Sequence, residues 1–425
     1  MSKLAINGGT PLITNPVSHP WPNTGYEEVE EIISCFKRQS FSGFRAGNYD
    51  GGQSVMEFEK SIKDSTGASY AVAFDTWSNG IVASMLSLGL EAGDEVIITP
   101  YTMTSCATSI ISCGAIPIFA DVCEDTGCID PEDVARKITH RTKAIFVVHL
   151  FGLPADMDKL MHLARQHNLF VFEDCAQSPM ALYKGKICGT IGDVGGFSFT
   201  QSKHITSGEG GVAITNDVKI NNGMRYVRNH GEVGCTAKEY SGSTDYDYCF
   251  DVNGNSGIIG YNFRMTELSA AFGIPQWKKL EAILEKKRQM GAFLRRNLAG
   301  IPGVENMIPD YSHEPSWYNF PLRYTGPAVT REKFVKALNA EGLNFGCGYV
   351  PPLYKQDIYR SNKHWVIRDY AKHVDYENPG CPVVERLFNK ELISTLDIRP
   401  PYDMNHMQNI VNGIHKVVEN IDEIL

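Results

Sequence analysis

The stretch "GGFSFTQSKHITSGEGGVAIT", residues 195–215, decides the fold and poses its main question. Strand formers stand on both sides of a lone lysine: Phe197 and Phe199 before Lys203, Val212 and Ile214 after it. Gly208, Gly210 and Gly211 crowd the far side. Glycines at that density mark sharp turns or the close approach of a ligand. Taken alone, the stretch reads equally as an exposed hairpin-like loop carrying a solvated lysine.

Working outward, short apolar runs alternate with helical patterns from residue 69 onward. "SYAVAF" (69–74), "DEVIIT" (94–99), "IPIFADV" (116–122), "KAIFVVHL" (143–150), "LFVFED" (169–174) and "GVAIT" (211–215) read as strands. "SNGIVASMLSLGL", "PEDVARKIT" with Pro131 in its first turn, and "DMDKLMHLARQH" read as helices between them. This alternation predicts an α/β fold with a mostly parallel sheet covered on both faces. The continuously apolar strands agree, since such strands are buried on both sides. Upstream, residues 1–25 form an irregular arm rich in Gly, Pro and Asn. "EEVEEIISCF" places Val29, Ile32, Ile33 and Phe36 at helical spacing, and a second helix starts at a Ser54 cap. A long helical stretch from Thr266 to Asn297 is expected to break at Pro275. From about residue 300 the pattern is mixed, so the expected division is an arm (1–25), a large α/β domain (26–290) and a smaller α+β domain (291–425).

Bulk properties narrow the function. The 425 residues are 43% hydrophobic and 21% charged, an ordinary globular composition. A net charge of −9 without a long basic run argues against nucleic-acid or anionic-membrane partners. The eleven cysteines include no C-x-x-C pair, so neither a zinc ribbon nor a dithiol motif is present, and no metal site is expected. No run approaches the roughly 18 apolar residues of a membrane span. The opening "MSKLAINGGTPLI" lacks an export-type apolar stretch, so reduced thiols in a cytoplasm are the expected setting.

Open α/β sheets bind ligands beyond the carboxyl ends of their strands. Three groups lie there. In "FDTWSNG" (74–80) a strand passes into a helix whose free N–H groups and Ser78 hydroxyl suit a phosphate, although a plain helix cap reads the same way. In "FEDCAQS" (172–178) Asp174 ends a strand, where it either pairs with a cation or closes a turn. Lys203, with Ser198 five residues before it, is the third. A partly desolvated lysine has its amine freed for Schiff-base chemistry. A phosphate cradle, an acid and a lysine on one sheet are the parts of a pyridoxal phosphate site.

The run "FEDCAQS…GTIGDVGGFSFTQSK…GEGGVAIT" resembles the DegT/DnrJ/EryC1/StrS sugar aminotransferases, which are fold-type-I pyridoxal phosphate transferases. "GDEVIIT", "IPIFADV", "TKAIFVVHLFGLPADMD" and "GYNFRMTELSAAFG" follow in family order, and "GYVPPLYKQ" extends the likeness toward the C-terminus. Members that aminate keto-cyclitols or make aminohydroxybenzoate look nearest. The resemblance implies roles by position. Lys203 matches the Schiff-base lysine and proton shuttle, and Asp174 the acid beneath the pyridine nitrogen. Gln177 would bond the ring hydroxyl. Ser78, Ser198 and the Trp77 backbone would hold the phosphate. Asn262 matches an asparagine contributed by the other subunit of a homodimer with shared active sites. Two residues depart from the pattern: Trp77 stands where the family has a small residue, and Met103 stands where an aromatic ring stacks on the cofactor, with Tyr101 or Trp77 as substitutes. His313, Tyr349 and Tyr354 fall where family members meet substrate, or else pack the small domain. Glu209 reads as turn structure. The implied reaction is a ping-pong transfer from glutamate or glutamine to a keto-sugar, keto-octulosonate or keto-cyclitol. A branch with histidine at the lysine position makes dehydratases; here His204 is the next residue. An aminohydroxybenzoate-type synthase and a non-catalytic cofactor-binding regulator are the other readings.

Overall fold

In this computed structural model, which describes residues 3–14, 21, 23–42, 50–231, 258–307 and 313–425, the apolar runs become one large sheet. Strands β1 (Tyr70–Phe74), β2 (Glu95–Ile98), β3 (Ile116–Phe119), β4 (Thr142–Val148) and β5 (Phe170–Asp174) come first. A short hairpin, β6 (Leu182–Tyr183) and β7 (Lys186–Ile187), precedes β8 (Val194–Ser198) and β9 (Gly211–Thr215). Seven of these lie side by side in the order β1-β9-β8-β5-β4-β2-β3. Pairing is parallel from β3 through β2, β4 and β5 to β8, while β9 runs antiparallel to both β8 and β1. Every residue of β2, β8 and β9 is buried, as strands covered on both faces require.

The helices are α1 (Tyr26–Arg38) and α2 (Gln53–Thr66) ahead of the sheet, then α3 (Trp77–Ser87), α4 (Thr104–Ser112), α5 (Pro131–Lys137) and α6 (Met157–His167) between strands. α7 (Val218–Arg228) follows β9, and α8 (Glu267–Leu298) crosses to the C-terminal part. Two expectations are corrected here. Ser54 does not cap α2; it lies inside the helix, whose N-cap is Gly52. The capping is done from α8, where the buried Glu267 carboxylate accepts the N–H groups of Ser54 (2.8 Å) and Val55 (3.1 Å). Glycine is needed at 52 because a Cβ there would lie 2.4 Å from the Glu267 carboxyl carbon. Nor does Pro275 break α8, which is continuous through it. Proline in a helix interior costs about 3 kcal/mol. The burial of Ala270, Ala271, Ile274 and Trp277, together with Gln276 hydrogen-bonded to Asn23 O and Glu28, offsets that cost.

The division expected at residue 290 falls within α8. Beyond it, β10 (Val304–Asn306), β12 (Phe320–Tyr324), β14 (Leu392–Thr395) and β13 (Gly346–Cys347) form an antiparallel sheet in that order, while β11 (His313–Glu314) joins the β6–β7 hairpin. Helices α9 (Arg331–Ala340), the short α10 (Asp357–Arg360) and α11 (Pro382–Arg386), and α12 (Met404–Glu419) complete this part. Of the expected arm, residues 1, 2, 15–20 and 22 lie outside the described residues. Among the described residues no helix is long and apolar enough to cross a membrane, and all nine cysteines are free thiols.

Candidate active site

The carboxyl ends of β4, β5 and β8 and the turn after β1 surround a cavity of about 500 Å³. That volume suits a small organic ligand. Val148 ends β4, Asp174 ends β5, Ser198 ends β8, and Thr76, Trp77 and Ser78 open α3; all line the cavity. The Thr76 side chain caps α3 by accepting from Asn79 N (3.2 Å). The amides of Trp77 and Ser78, in the same first turn, are therefore left for a ligand.

Lys203 sits in the loop between β8 and β9, which are held together on either side of it. Phe199 N bonds Gly210 O, and Ser207 N bonds Phe199 O, each at 2.9 Å. Gly208, at φ +83°, supplies the left-handed turn. The loop is fastened from outside as well, since the Trp21 indole donates to Lys203 O at 2.8 Å. The lysine side chain reaches the cavity, with Nζ 5.0 Å from the centre of the Tyr318 ring. His204 turns the other way. It is buried, and its Nε2 lies 2.9 Å from Ser316 O. Burial, and after it the charge of Lys287, holds that imidazole well below its usual pKa.

Asp174 is 3% exposed and held by three donors. Its Oδ1 accepts from the Trp77 indole N–H and from Ala176 N, both at 2.9 Å. Its Oδ2 accepts from the Cys106 thiol at 3.1 Å. Burial first, and the neighbouring Asp174 carboxylate second, push the Cys106 thiol well above its usual pKa, so it remains a donor. The large residue at 77 fits because glycines surround it. A Cβ on Gly196 would lie 2.1 Å from the indole edge, and one on Gly80 would lie 2.8 Å from the indole. The indole stacks on Phe172, with centroids 5.8 Å apart.

Gln177 spans the cavity wall: Oε1 accepts from Phe151 N (2.8 Å) and Nε2 donates to the Tyr349 hydroxyl (2.7 Å). Met103 stands at the N-cap of α4, 48% exposed, at the cavity rim. Tyr101 is fully buried behind it, edge-on to Phe151 and Tyr349, and lines no part of the cavity.

Thus Lys203, Asp174, Trp77, Ser78, Met103, Gln177, Ser198 and Tyr349 converge on one cavity, and Glu209 stands exposed among its lining residues. Two residues expected at it do not reach it, and a third, Asn262, is expected at the site of another subunit. Tyr354 is buried against Phe119, and its hydroxyl is taken by Glu385 at 2.8 Å. His313 is stacked on Tyr183 in the three-stranded sheet. Asn262 is exposed and bridges to Asn229. Conversely, Tyr318 and Cys106 line the cavity without having been expected there. Tyr318 arrives because its N–H bonds Phe151 O (2.8 Å) while Ser316 N bonds Gly152 O (3.1 Å). Gly152 has φ +85°, and a Cβ on it would meet Trp317 N at 2.5 Å, so the glycine of "HLFG" lets the small domain dock there.

His149, Glu173 and Cys188 form a buried cluster with metal-ligand composition just behind the site. Its donors and acceptors are already matched. His149 Nδ1 accepts from Ala155 N (3.0 Å), so the ring hydrogen sits on Nε2 and faces Glu173 at 3.0 Å. Glu173 also accepts from Gly189, Ile191 and Gly192 N–H groups. Burial, then Glu173, raises the Cys188 thiol well above its usual pKa, which disfavours the thiolate a metal needs.

Residues 37–392 match the family model described as the DegT/DnrJ/EryC1/StrS aminotransferase family. A Micromonospora echinospora protein named for an L-glutamine:3-amino-2,3-dideoxy-scyllo-inosose aminotransferase is 30% identical over 431 residues, covering 99% of this chain and 98% of that protein. GDP-perosamine synthase of Escherichia coli O157:H7 is 35% identical over 295 residues, covering 69% of this chain and 74% of that enzyme. Among solved structures, the aminotransferase from Psychrobacter cryohalolentis superposes with a TM-score of 0.81 at 27% identity, covering 95% of this chain and 99% of that one. With a lysine and an acid on one cavity of this fold, the chain is a member of the DegT/DnrJ/EryC1/StrS aminotransferase family.

Proposed function

We propose that the cavity takes pyridoxal 5′-phosphate and that the chain moves an amino group from glutamate or glutamine to the carbonyl of a keto-sugar, keto-octulosonate or keto-cyclitol. The observation that carries this reading is the orientation of neighbours: Lys203 opens on the cavity lined by Asp174, while His204 is turned into the core. A histidine committed to Ser316 O cannot replace the lysine, which speaks for amino transfer over dehydration.

The residues fit the cofactor by their donor set. Asp174 offers a buried carboxylate to a protonated ring nitrogen. Ser78, Ser198 and the first amides of α3 offer neutral donors to a phosphate. Gln177 Nε2 keeps a second hydrogen beyond the one given to Tyr349, available for a ring hydroxyl. When bound, the cofactor supplies an electron-poor ring that delocalises charge from the donor's α-carbon. Lys203 would hold the cofactor, and its Nζ would be the group that carries a proton to and from the donor's α-carbon. The Tyr318 ring, 5.0 Å from Lys203 Nζ, lines the same cavity and sets the lysine's position over it. The relatives' printed names, a scyllo-inosose derivative in one case and GDP-perosamine in the other, support a cyclic polyhydroxylated acceptor.

A homodimer with shared sites is supported by two features. Tyr26, Val29, Ile33 and Phe36 make an apolar stripe on α1 that is 43–71% exposed in the single chain. Asn262, outside its own cavity, is exposed and so placed to serve a partner's. The free thiols support a reducing, cytoplasmic setting.

The test is donor-dependent turnover with a keto-cyclitol or nucleotide-linked keto-sugar, followed as the donor's keto acid, 2-oxoglutarate from glutamate or 2-oxoglutaramate from glutamine. Lys203→Ala should lose about 10²–10⁴ or more in rate, the usual contribution of a positioned proton-transfer group. Turnover by the variant at the native rate, or product formed without a stoichiometric amount of the donor's keto acid, refutes the assignment.

A further inference from the structure

We propose that Trp77 and Cys106 are positioning residues for Asp174, and that their two hydrogen bonds keep the proton shared between Asp174 and the cofactor on the ring nitrogen. The inference rests on the cofactor reading above and concerns how this chain's own acid is set. A carboxylate has about four acceptor sites. Three are filled: two on Oδ1 by the Trp77 indole and Ala176 N, and one on Oδ2 by Cys106. One site on Oδ2 remains, in a residue that lines the cavity.

The donors act on charge as well as on orientation. Each N–H or S–H aimed at the carboxylate draws negative charge toward itself and stabilises the ionised form. A carboxylate so stabilised competes weakly for a proton, and the proton stays on its partner. The indole also stacks on Phe172, a contact that any aromatic ring could make without an N–H donor. Trp77 opens α3, where a small residue would leave the amide equally free, and its ring is admitted only because Gly80 and Gly196 lack side chains. The Cys106 thiol is equally dedicated, being buried and bonded to Thr102 Oγ1 (3.4 Å) and Asp174.

The test uses the full chain loaded with pyridoxal phosphate labelled with ¹⁵N in the ring. The wild-type protein should show the ring nitrogen at a pyridinium shift. Trp77→Phe keeps an aromatic ring and removes the donor; Cys106→Ala removes the other; Cys106→Ser restores a donor. Both donor-less variants should move the ¹⁵N signal toward neutral pyridine and weaken cofactor affinity by about tenfold to a hundredfold, the worth of one charge-assisted hydrogen bond. Cys106→Ser should return both readouts to near the wild-type values. A purely structural role predicts weaker affinity with no ¹⁵N displacement and no rescue by serine. If Trp77→Phe does not fold, as judged by near-ultraviolet circular dichroism, the Cys106 pair decides alone. Unchanged ¹⁵N shifts in the variants overturn this inference and leave the Lys203 assignment standing. A wild-type chain that fails to bind the cofactor overturns both.

Discussion

Glu173→Gln should destabilise the protein by about 2–6 kcal/mol, although the two side chains have nearly the same shape. Each Glu173 oxygen receives two donors. Oε2 takes Gly189 N (2.8 Å) and His149 Nε2 (3.0 Å), and Oε1 takes Ile191 N (2.8 Å) and Gly192 N (2.6 Å). Glutamine replaces one oxygen with an NH₂ group. Whichever way the amide is turned, that group faces two hydrogen-bond donors. His149 cannot relieve the conflict by moving its hydrogen to Nδ1, because Nδ1 already accepts from Ala155 N. Two buried donors are thus left without acceptors, at roughly 1–3 kcal/mol each. That is a large share of a total stability of about 5–15 kcal/mol. The assay is urea unfolding followed by far-ultraviolet circular dichroism, at matched protein concentration because association would shift the midpoint. The midpoint should fall with the slope unchanged. A loss below about 1 kcal/mol at unchanged slope would refute the hydrogen-bond account. Adding a chelator to the wild-type protein should leave its midpoint in place; a drop would mean that a metal, rather than N–H groups, satisfies the cluster.

Three further outcomes follow from the same geometry. Gly196→Ala places a Cβ 2.1 Å from Trp77 Cη2 and 2.5 Å from Val212 O, so it should cost about 1–3 kcal/mol and weaken cofactor binding by displacing the indole; an unchanged cofactor dissociation constant would contradict this. Glu267→Ala should strip the α2 cap and cost about 2–5 kcal/mol, with hydrogen exchange of the Ser54 and Val55 amides rising first; retained protection at those amides would count against it. Burial pushes the Glu28 carboxyl up, but hydrogen bonds from Lys279, Gln276 and Gly25 N outweigh it and hold the group below its usual range. The unfolded chain therefore binds the proton more readily, and the stability Glu28 contributes is present above the usual carboxyl value and lost as pH falls through the lower folded value. The gap in urea midpoint between wild type and Glu28→Gln should narrow from about pH 7 to about pH 3, and a constant gap would sink the argument.

The sheet was legible because its strands are locally extreme. "VGGFS", "GVAIT" and "EVII" are short, without charge beyond Glu95, and bounded by turn residues, which leaves few alternatives to doubly covered strands. The start of α2 and the continuity of α8 were not legible, for one shared reason. Glu267 reaches across 213 positions to cap α2, and the packing of α8 on α1 and α2 overrides its proline. Local rules rank local partners, and here distant partners win. The same division runs through the site. Lys203, Asp174, Ser198 and Ser78 each lie at a strand end or helix start, positions that a linear reading can find. Tyr318 reaches the cavity through backbone bonds to Phe151 and Gly152, more than 160 residues earlier, and nothing in "SWYNF" signals that docking. Tyr354 fails for the converse reason: its polar tip has a partner inside the small domain, Glu385, which the sequence does not place beside it.

The glycines of residues 195–215 show why a need for space is easier to read than its occupant. Their density signals close approach, and the approach is real, but much of it is made by the protein itself. Gly196 makes way for the Trp77 indole and Gly211 for the backbone of residue 77, Gly195 lies against Gly189, and Gly210 against Ser207 and Met265; Gly208 alone of the loop has open space and a left-handed turn. A large residue at 77 and absent side chains at 80 and 196 are therefore one feature spread over one strand and a helix start. Trp77 departs from the small residue expected there only when position 77 is judged alone. Judged with its two glycines, the indole is a buried donor delivered to Asp174, its Nε1 2.9 Å from Oδ1.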